Sequence, residues 1–278
     1  MQGITDVIVQ ALRIGGAIIR DAYASGASEH VRHKGAVNLV TETDIRSEEA
    51  VVAFLARECP GWRIVAEESA TMGKWDEAKI DAAENPSGLT WYLDPLDGTT
   101  NFAHGFPVFC ISLGLADGAD LIVGGVYQPL LEETFIAEKG KGATLNGSPI
   151  HVSPLVELDK ALLATGFPYD IRDTDETNLD YFAAFAVKAQ AIRRAGSAAL
   201  DLSYLAAGRF DGFWEMKLAP WDTAAGTLII REAGGVVTDF GGRPFVPGGA
   251  EALAAGTPDL AAALQRVIAD VRAARKRP

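Results

Sequence analysis

Between residues 91 and 105 the chain reads WYLDPLDGTTNFAHG, which sets Asp94 and Asp97 three positions apart around Pro95 at the end of a strand-like run. Carboxylate oxygens suit hard divalent cations such as Mg2+, which prefer oxygen ligands and keep some of their water. A turn at the strand end can aim both side chains at one point. Pro95 restrains the backbone between them, and the Leu96 carbonyl offers a further oxygen. Gly98 permits close backbone approach, and the Gly98 and Thr99 amides then open a helix through Phe102, an arrangement that favours phosphate. The competing reading is structural: an Asp-Pro turn followed by a capped helix.

Three further segments bear on that choice. Glu67-Glu68-Ser69 follows a short strand at residues 63–66, so it too ends on a strand edge, although adjacent acids also make ordinary solvated turns. Trp221-Asp222-Thr223 reads as a helix start, where an aspartate caps the first turn and its side chain still projects beyond the helix end. The run from Lys34 to Asp44, KGAVNLVTETD, is a hairpin leading into a second capped helix.

Taken together these segments resemble the inositol monophosphatase family, the Mg2+-dependent, lithium-sensitive sugar phosphatases. WYLDPLDGTTNFAHGFP is similar to the family's first signature, and PWDTAAG followed by EAGG is similar to its second. AEES resembles the acidic metal-ligand pair, with Ala66 where glycine is common. The matching segments run from Lys34 to Gly235, most of the chain. The resemblance implies that Glu67, Asp94, the Leu96 carbonyl, Asp97 and Asp222 hold two or three Mg2+ ions, with Glu68 supporting them from outside. It implies that Thr99, paired with Asp44 and assisted by Glu67, helps activate the attacking water. Gly98, Thr99 and Asp222 would bind the substrate at its phosphate end, Glu215 would bond its hydroxyls, and Ser197 and Ala198 would line the alcohol pocket. His104 lies beside the first signature and receives no role.

The chemistry is physically coherent. An acidic protein repels a phosphomonoester unless bound cations reverse the local sign. Glu67, Asp94, Asp97 and Asp222 supply roughly four negative charges, which two Mg2+ balance in formal charge. Direct in-line transfer to water requires no phosphoenzyme. A haloacid-dehalogenase-type phosphatase would place its aspartates two apart near the start of the chain and trap phosphate covalently. No P-loop string and no G-x-S-x-G elbow occurs. A non-catalytic interaction protein on the same fold is the alternative of another class. Expected substrates are inositol 1-phosphate or a similar small polyol or sugar phosphate, with histidinol phosphate, fructose 1,6-bisphosphate and 3′-phosphoadenosine phosphates as alternatives.

The elements that must position these residues are readable in outline. The chain has 278 residues, 48% apolar, enough for a substantial core. A formal charge of −12 argues against nucleic-acid or membrane-surface partners. Cys59 and Cys110 are too far apart in sequence and too few for a zinc cluster or disulfide framework, which suits a cytoplasmic protein. The first helix is amphipathic, with Ile4, Val7, Ile8, Leu12 and Ile19 inward, and is read as neither signal peptide nor membrane span. A second helix is expected over 44–58, strands over 108–137, and a small hairpin with Asn146-Gly147 at its tip. Near Ser153 the pattern changes to alternating strand and helix. We therefore expect an α/β (α+β) chain with an N-terminal α+β half (1–152) carrying most metal ligands and a C-terminal α/β half (153–278) carrying Asp222. The resemblance implies a layered αβαβα sandwich of the sugar-phosphatase type, assembled as a homodimer. The polar loop at 69–88 is expected to close over the cleft between the halves.

Overall fold

The structure is a computed structural model and describes residues 3–26, 31–33, 39–70 and 87–275. Most of the expected closing loop at 69–88, and residues 34–38 of the hairpin before Asp44, lie outside the described residues.

Helix α1 (Ile4–Ala24) buries Val7, Ile8, Leu12 and Ile19 on one face, as its periodicity requires. Strands β1 (Val31–His33) and β2 (Leu39–Thr41) pair antiparallel. Helix α2 (Glu42–Glu58) begins on Thr41, whose side chain accepts the Asp44 amide while Asp44 accepts the Thr41 amide. This reciprocal cap fixes the start of α2 two residues earlier than the sequence suggested. Helices α1 and α2 cover one face of a seven-stranded sheet, against Trp91, Leu93, Ile111, Leu113 and Val123. Each large side chain fully buried there contributes roughly 1.5–3 kcal/mol.

That sheet runs in order β3 (Arg63–Ala66), β4 (Leu89–Asp97), β5 (Cys110–Asp117), β6 (Asp120–Gln128), β7 (Glu133–Glu138), β8 (Ala143–Leu145) and β9 (Ser148–Pro149). Only β3 and β4 are parallel; the rest is a meander, with a tight turn at Gly118 and the expected one at Asn146-Gly147. Two short helices sit where strands end: α3 (Glu67–Ser69) after β3, and α4 (Thr99–Ala103) after β4.

The second half of the chain supplies a five-stranded sheet: β10 (Leu162–Thr165), β11 (Ala191–Arg193), β12 (Gly212–Met216), β13 (Val236–Thr238) and β14 (Glu251–Ala255), in the order β11-β10-β12-β14-β13. Helices α5 (Leu179–Ala186) and α8 (Pro258–Arg275) cover its outer face. Helices α6 (Ala198–Ala206) and α7 (Pro220–Glu232) lie between the two sheets, packed against Phe135 and Val126 on one side and Phe213 and Ala254 on the other. The layers are therefore α1α2, sheet, α6α7, sheet, α5α8: an αβαβα sandwich, as expected.

Two glycines let the central layer close. A Cβ on Gly114 would lie 2.8 Å from the Ala224 Cβ, and one on Gly124 would lie 2.9 Å from the Ala225 Cα. Helix α7 thus rides directly on the backbone of β5 and β6. Strand β14 was not anticipated. Its sequence, EALAA, has helix-forming composition, and burial between β12 and β13 overrides that preference.

Candidate active site

The end of β4 runs past Asp94 to Asp97 with a register irregularity between them, so the ladder to β5 breaks where the motif begins. Asp94 is buried, and its Oδ1 accepts the Leu96 amide at 3.0 Å, closing an aspartate turn over Pro95. Gly98 then adopts φ +95°, a left-handed value that favours glycine, and a Cβ there would lie 2.8 Å from the Val108 carbonyl oxygen. Helix α4 starts at the next residue, as expected.

Thr99 meets Asp44 across the chain: its hydroxyl donates to Asp44 Oδ1 at 2.8 Å and lies 3.0 Å from the Leu96 carbonyl. Asp44 is fully buried on the first turn of α2, and its other oxygen accepts from the Thr41 amide and hydroxyl. Burial raises its pKa to about 6, and the hydrogen bonds from Thr41 and Thr99 restrain that rise.

Asp97 faces the second half of the chain. Its Oδ2 accepts the Ser197 hydroxyl and the Ala199 amide, each at 2.7 Å, so the first turn of α6 is docked on this carboxylate. Ser197 occupies the N-cap position of α6, but its hydroxyl makes no capping bond, because it is turned to Asp97. Burial raises Asp97 to about 6, partly offset by those bonds. Asp222 stands in the first turn of α7, where its Oδ2 accepts the Ala219 amide at 2.7 Å and caps the helix.

These groups share one cleft of about 580 Å³, whose lining includes Glu67, Asp94, Leu96, Asp97, Thr99 and Asp222 together with Ser197, Ala198 and Glu215. Gly98 also lines it, whereas Asp44, behind Thr99, and the buried Glu68 are set back from its surface. The carboxylates act on one another. Asp94 is pushed well above the usual carboxylate range by burial and then by Glu67, Asp97 and Asp222; Asp222 is raised by burial, Glu67 and Asp97. Among the described residues, no group of three or more His, Cys, Asp or Glu side chains is arranged to hold a metal ion as it stands. The donor set nevertheless fits a hard divalent cation: clustered carboxylates with a carbonyl between Asp94 and Asp97, of which Asp94, Asp97 and Asp222 are held back from ionising by burial and then by like-charged neighbours.

Glu215, on β12, is buried in the lining of the cleft, and Gly166 is the reason it fits. A Cβ at residue 166 would lie 2.0 Å from Glu215 Oε1. Burial, and then Asp201 and Asp97, push Glu215 well above its usual range, with Arg194 opposing. Several residues of the cleft escaped the sequence reading. Asp201 lies one helical turn after Ser197 on α6, buried, with Oδ1 lacking a hydrogen-bond partner; the four-residue spacing was available as a signal. Arg194, Lys217 and Tyr169 line the mouth and carry no sequence pattern of their own. Asn101 donates to the Val108 and Ala195 carbonyls at 2.7 and 2.8 Å, tying the first motif to the loop before α6.

Comparison with known proteins places this geometry in context. The profile of the inositol monophosphatase family matches residues 1–275. The chain is 43% identical over 241 residues to the inositol-1-monophosphatase of Synechocystis, covering 86% of this chain and 80% of that protein. It is 41% identical to the Nus factor SuhB of Pseudomonas aeruginosa, covering 87% of each. Among solved structures it is similar to an inositol monophosphatase from Anabaena, with a TM-score of 0.81 at 35% identity over 96% of this chain and 95% of that one.

Proposed function

Because the chain belongs to the inositol monophosphatase family, a family of metal-dependent phosphatases that typically use Mg2+, we propose that it hydrolyses inositol 1-phosphate or a similar small polyol phosphate by direct attack of water. The observation that carries the reading is the Thr99–Asp44 hydrogen bond of 2.8 Å at the edge of a cleft that also gathers Asp94, Asp97, Asp222 and Glu67.

In this reading Glu67, Asp94, the Leu96 carbonyl, Asp97 and Asp222 would hold the Mg2+ ions, which would supply positive charge toward the phosphate and acidify the attacking water. Thr99 gives its proton to Asp44 Oδ1 and takes one from the attacking water at Oγ1. An Asp44 pKa of about 6 suits a base working near neutral pH. The Gly98 and Thr99 amides donate to phosphate oxygens. Glu215 accepts hydrogen bonds from substrate hydroxyls, with Ser197 and Ala198 forming the adjoining wall. The cleft volume is that of a site for one small molecule.

The Nus-factor name of one relative supports a second reading, a non-catalytic interaction role on the same scaffold. Phosphate release separates the two. We expect Mg2+-dependent release from inositol 1-phosphate at a higher kcat/KM than from histidinol phosphate or fructose 1,6-bisphosphate. Release from none of the three overturns the catalytic reading, and preference for another member of the panel overturns the substrate assignment.

A further inference from the structure

Helix α2 does more than deliver Asp44. Residues 44, 47 and 48 share one of its faces, and each reaches a different segment of the cleft. Asp44 holds the Thr99 hydroxyl at 2.8 Å, and the Ser47 hydroxyl donates to the Pro95 carbonyl at 3.0 Å. Glu48 reaches the third segment, twenty residues along the chain: its Oε2 accepts the Glu68 amide at 2.8 Å and its Oε1 accepts the Ser69 amide at 2.9 Å. The Ser69 hydroxyl bonds the same Oε1. Glu48 is 5% exposed, so this is a buried carboxylate whose two oxygens are both committed to the backbone just after Glu67.

That commitment is not what a helix cap alone requires. Helix α3 has three residues and buries little beyond Glu68, so it offers scant stability for a buried charge to protect. What it does carry is Glu67, at its first position and on the cleft wall. Gripping the two amides that follow fixes the direction in which the Glu67 side chain leaves the backbone. One helix therefore sets the mutual spacing of the three segments bearing Glu67, Asp94 to Asp97, and Thr99.

We propose that Glu48 is a positioning residue that sets the affinity of the site for Mg2+ by aiming Glu67, an inference that rests on the metal-dependent phosphatase reading above. Groups that orient a metal ligand from behind are typically worth about 10–100-fold in metal affinity. Glu48→Gln keeps the shape of the side chain but turns an amide donor toward a backbone N–H, so one of the two grips is lost. Ser69→Ala removes only the hydroxyl contact and leaves both amide grips in place.

The test is Mg2+ titration by calorimetry on the full chain, with melting in chelator as the control for folding. We expect Glu48→Gln to weaken Mg2+ binding by about tenfold or more and Ser69→Ala by a smaller factor, with activity lost at low Mg2+ returning as Mg2+ is raised. In a Glu67→Gln background the Glu48→Gln change should alter Mg2+ affinity by less than about twofold, because the ligand it aims is already gone. Wild-type Mg2+ affinity in Glu48→Gln, or an equal fold-change with and without Glu67, overturns the proposal and leaves Glu48 a structural cap. Absence of Mg2+ uptake by the wild-type chain overturns the underlying reading as well, which distinguishes the two failures.

Discussion

Asp94 is the residue on which the cleft converges: it is 2% exposed and feels Glu67, Asp97 and Asp222 at once. Its carboxylate is costly in the metal-free protein and valuable only when a cation is present. Asp94→Asn should therefore lower kcat by roughly 10²–10³-fold or more, as expected for removing one preorganised charge contact. Melting in chelator should be unchanged or higher, because a buried like charge has been removed. Phosphate release and calorimetric melting on one preparation check both halves, and a large fall in melting temperature would assign Asp94 a structural role instead. The same logic separates Asp94 from Asn178, whose buried amide donates to Thr165 Oγ1 at 2.7 Å and accepts the Trp214 indole N–H at 2.6 Å. That network is internally satisfied, so its worth lies in stability and not in ligand binding.

At the scale of elements, the position of Asp222 depends on how closely α7 lies on β5 and β6. Because the Ala225 backbone occupies the space a side chain at residue 124 would need, Gly124→Ala must lift the helix or bend the strand. Such overpacking typically costs about 1–3 kcal/mol, and α7 should carry Asp222 away from Asp97 as it moves. We expect a lower melting temperature together with weaker Mg2+ binding; denaturant unfolding and calorimetry measure the two, and a stable variant that binds Mg2+ normally refutes the coupling. This dependence also explains what the sequence could and could not reveal. Helices α1 and α2 and the Asn146-Gly147 turn follow from periodicity and turn chemistry, which are local. Asp94 and Asp97 were legible from their types and spacing, whereas Glu67 and Asp222 became legible as ligands only through the family resemblance. Strand β14 was hidden because its pairing with β12 and β13 is long-range and its alanines prefer a helix. Glu48 and Asp201 were hidden because an acid on a helix reads as a solvated face until a distant segment is seen to cover it.

For the molecule as a whole, the cleft makes an unusual statement about pH. Asp44 and Asp97 are raised from an ordinary value near 3.8 to about 6, chiefly by burial, and Asp94, Asp201, Glu215 and Asp222 are raised further by burial and by one another. The native state then keeps protons that the unfolded chain has released, so stability falls as pH rises through and above this window and is regained as pH falls back through it. The surface acids that are lowered, Glu138 beside Lys141, Glu157 beside Lys160 and Asp239 beside Arg243, act in the opposite sense, but they are surface ion pairs and contribute little. The metal-free protein should therefore melt at a higher temperature at pH 5.5 than at pH 7.5, a reversal of ordinary acid denaturation. Added Mg2+ should raise the melting temperature at pH 7.5 far more than at pH 5.5, because it binds the ionised carboxylates and competes with protons for them. Scanning calorimetry in chelator and in excess Mg2+ at both pH values gives four melting temperatures that decide the matter. If the chelated protein is instead more stable at pH 7.5, the six acids are not held together closely enough to resist ionisation, and the electrostatic argument for a cation in this cleft loses its basis.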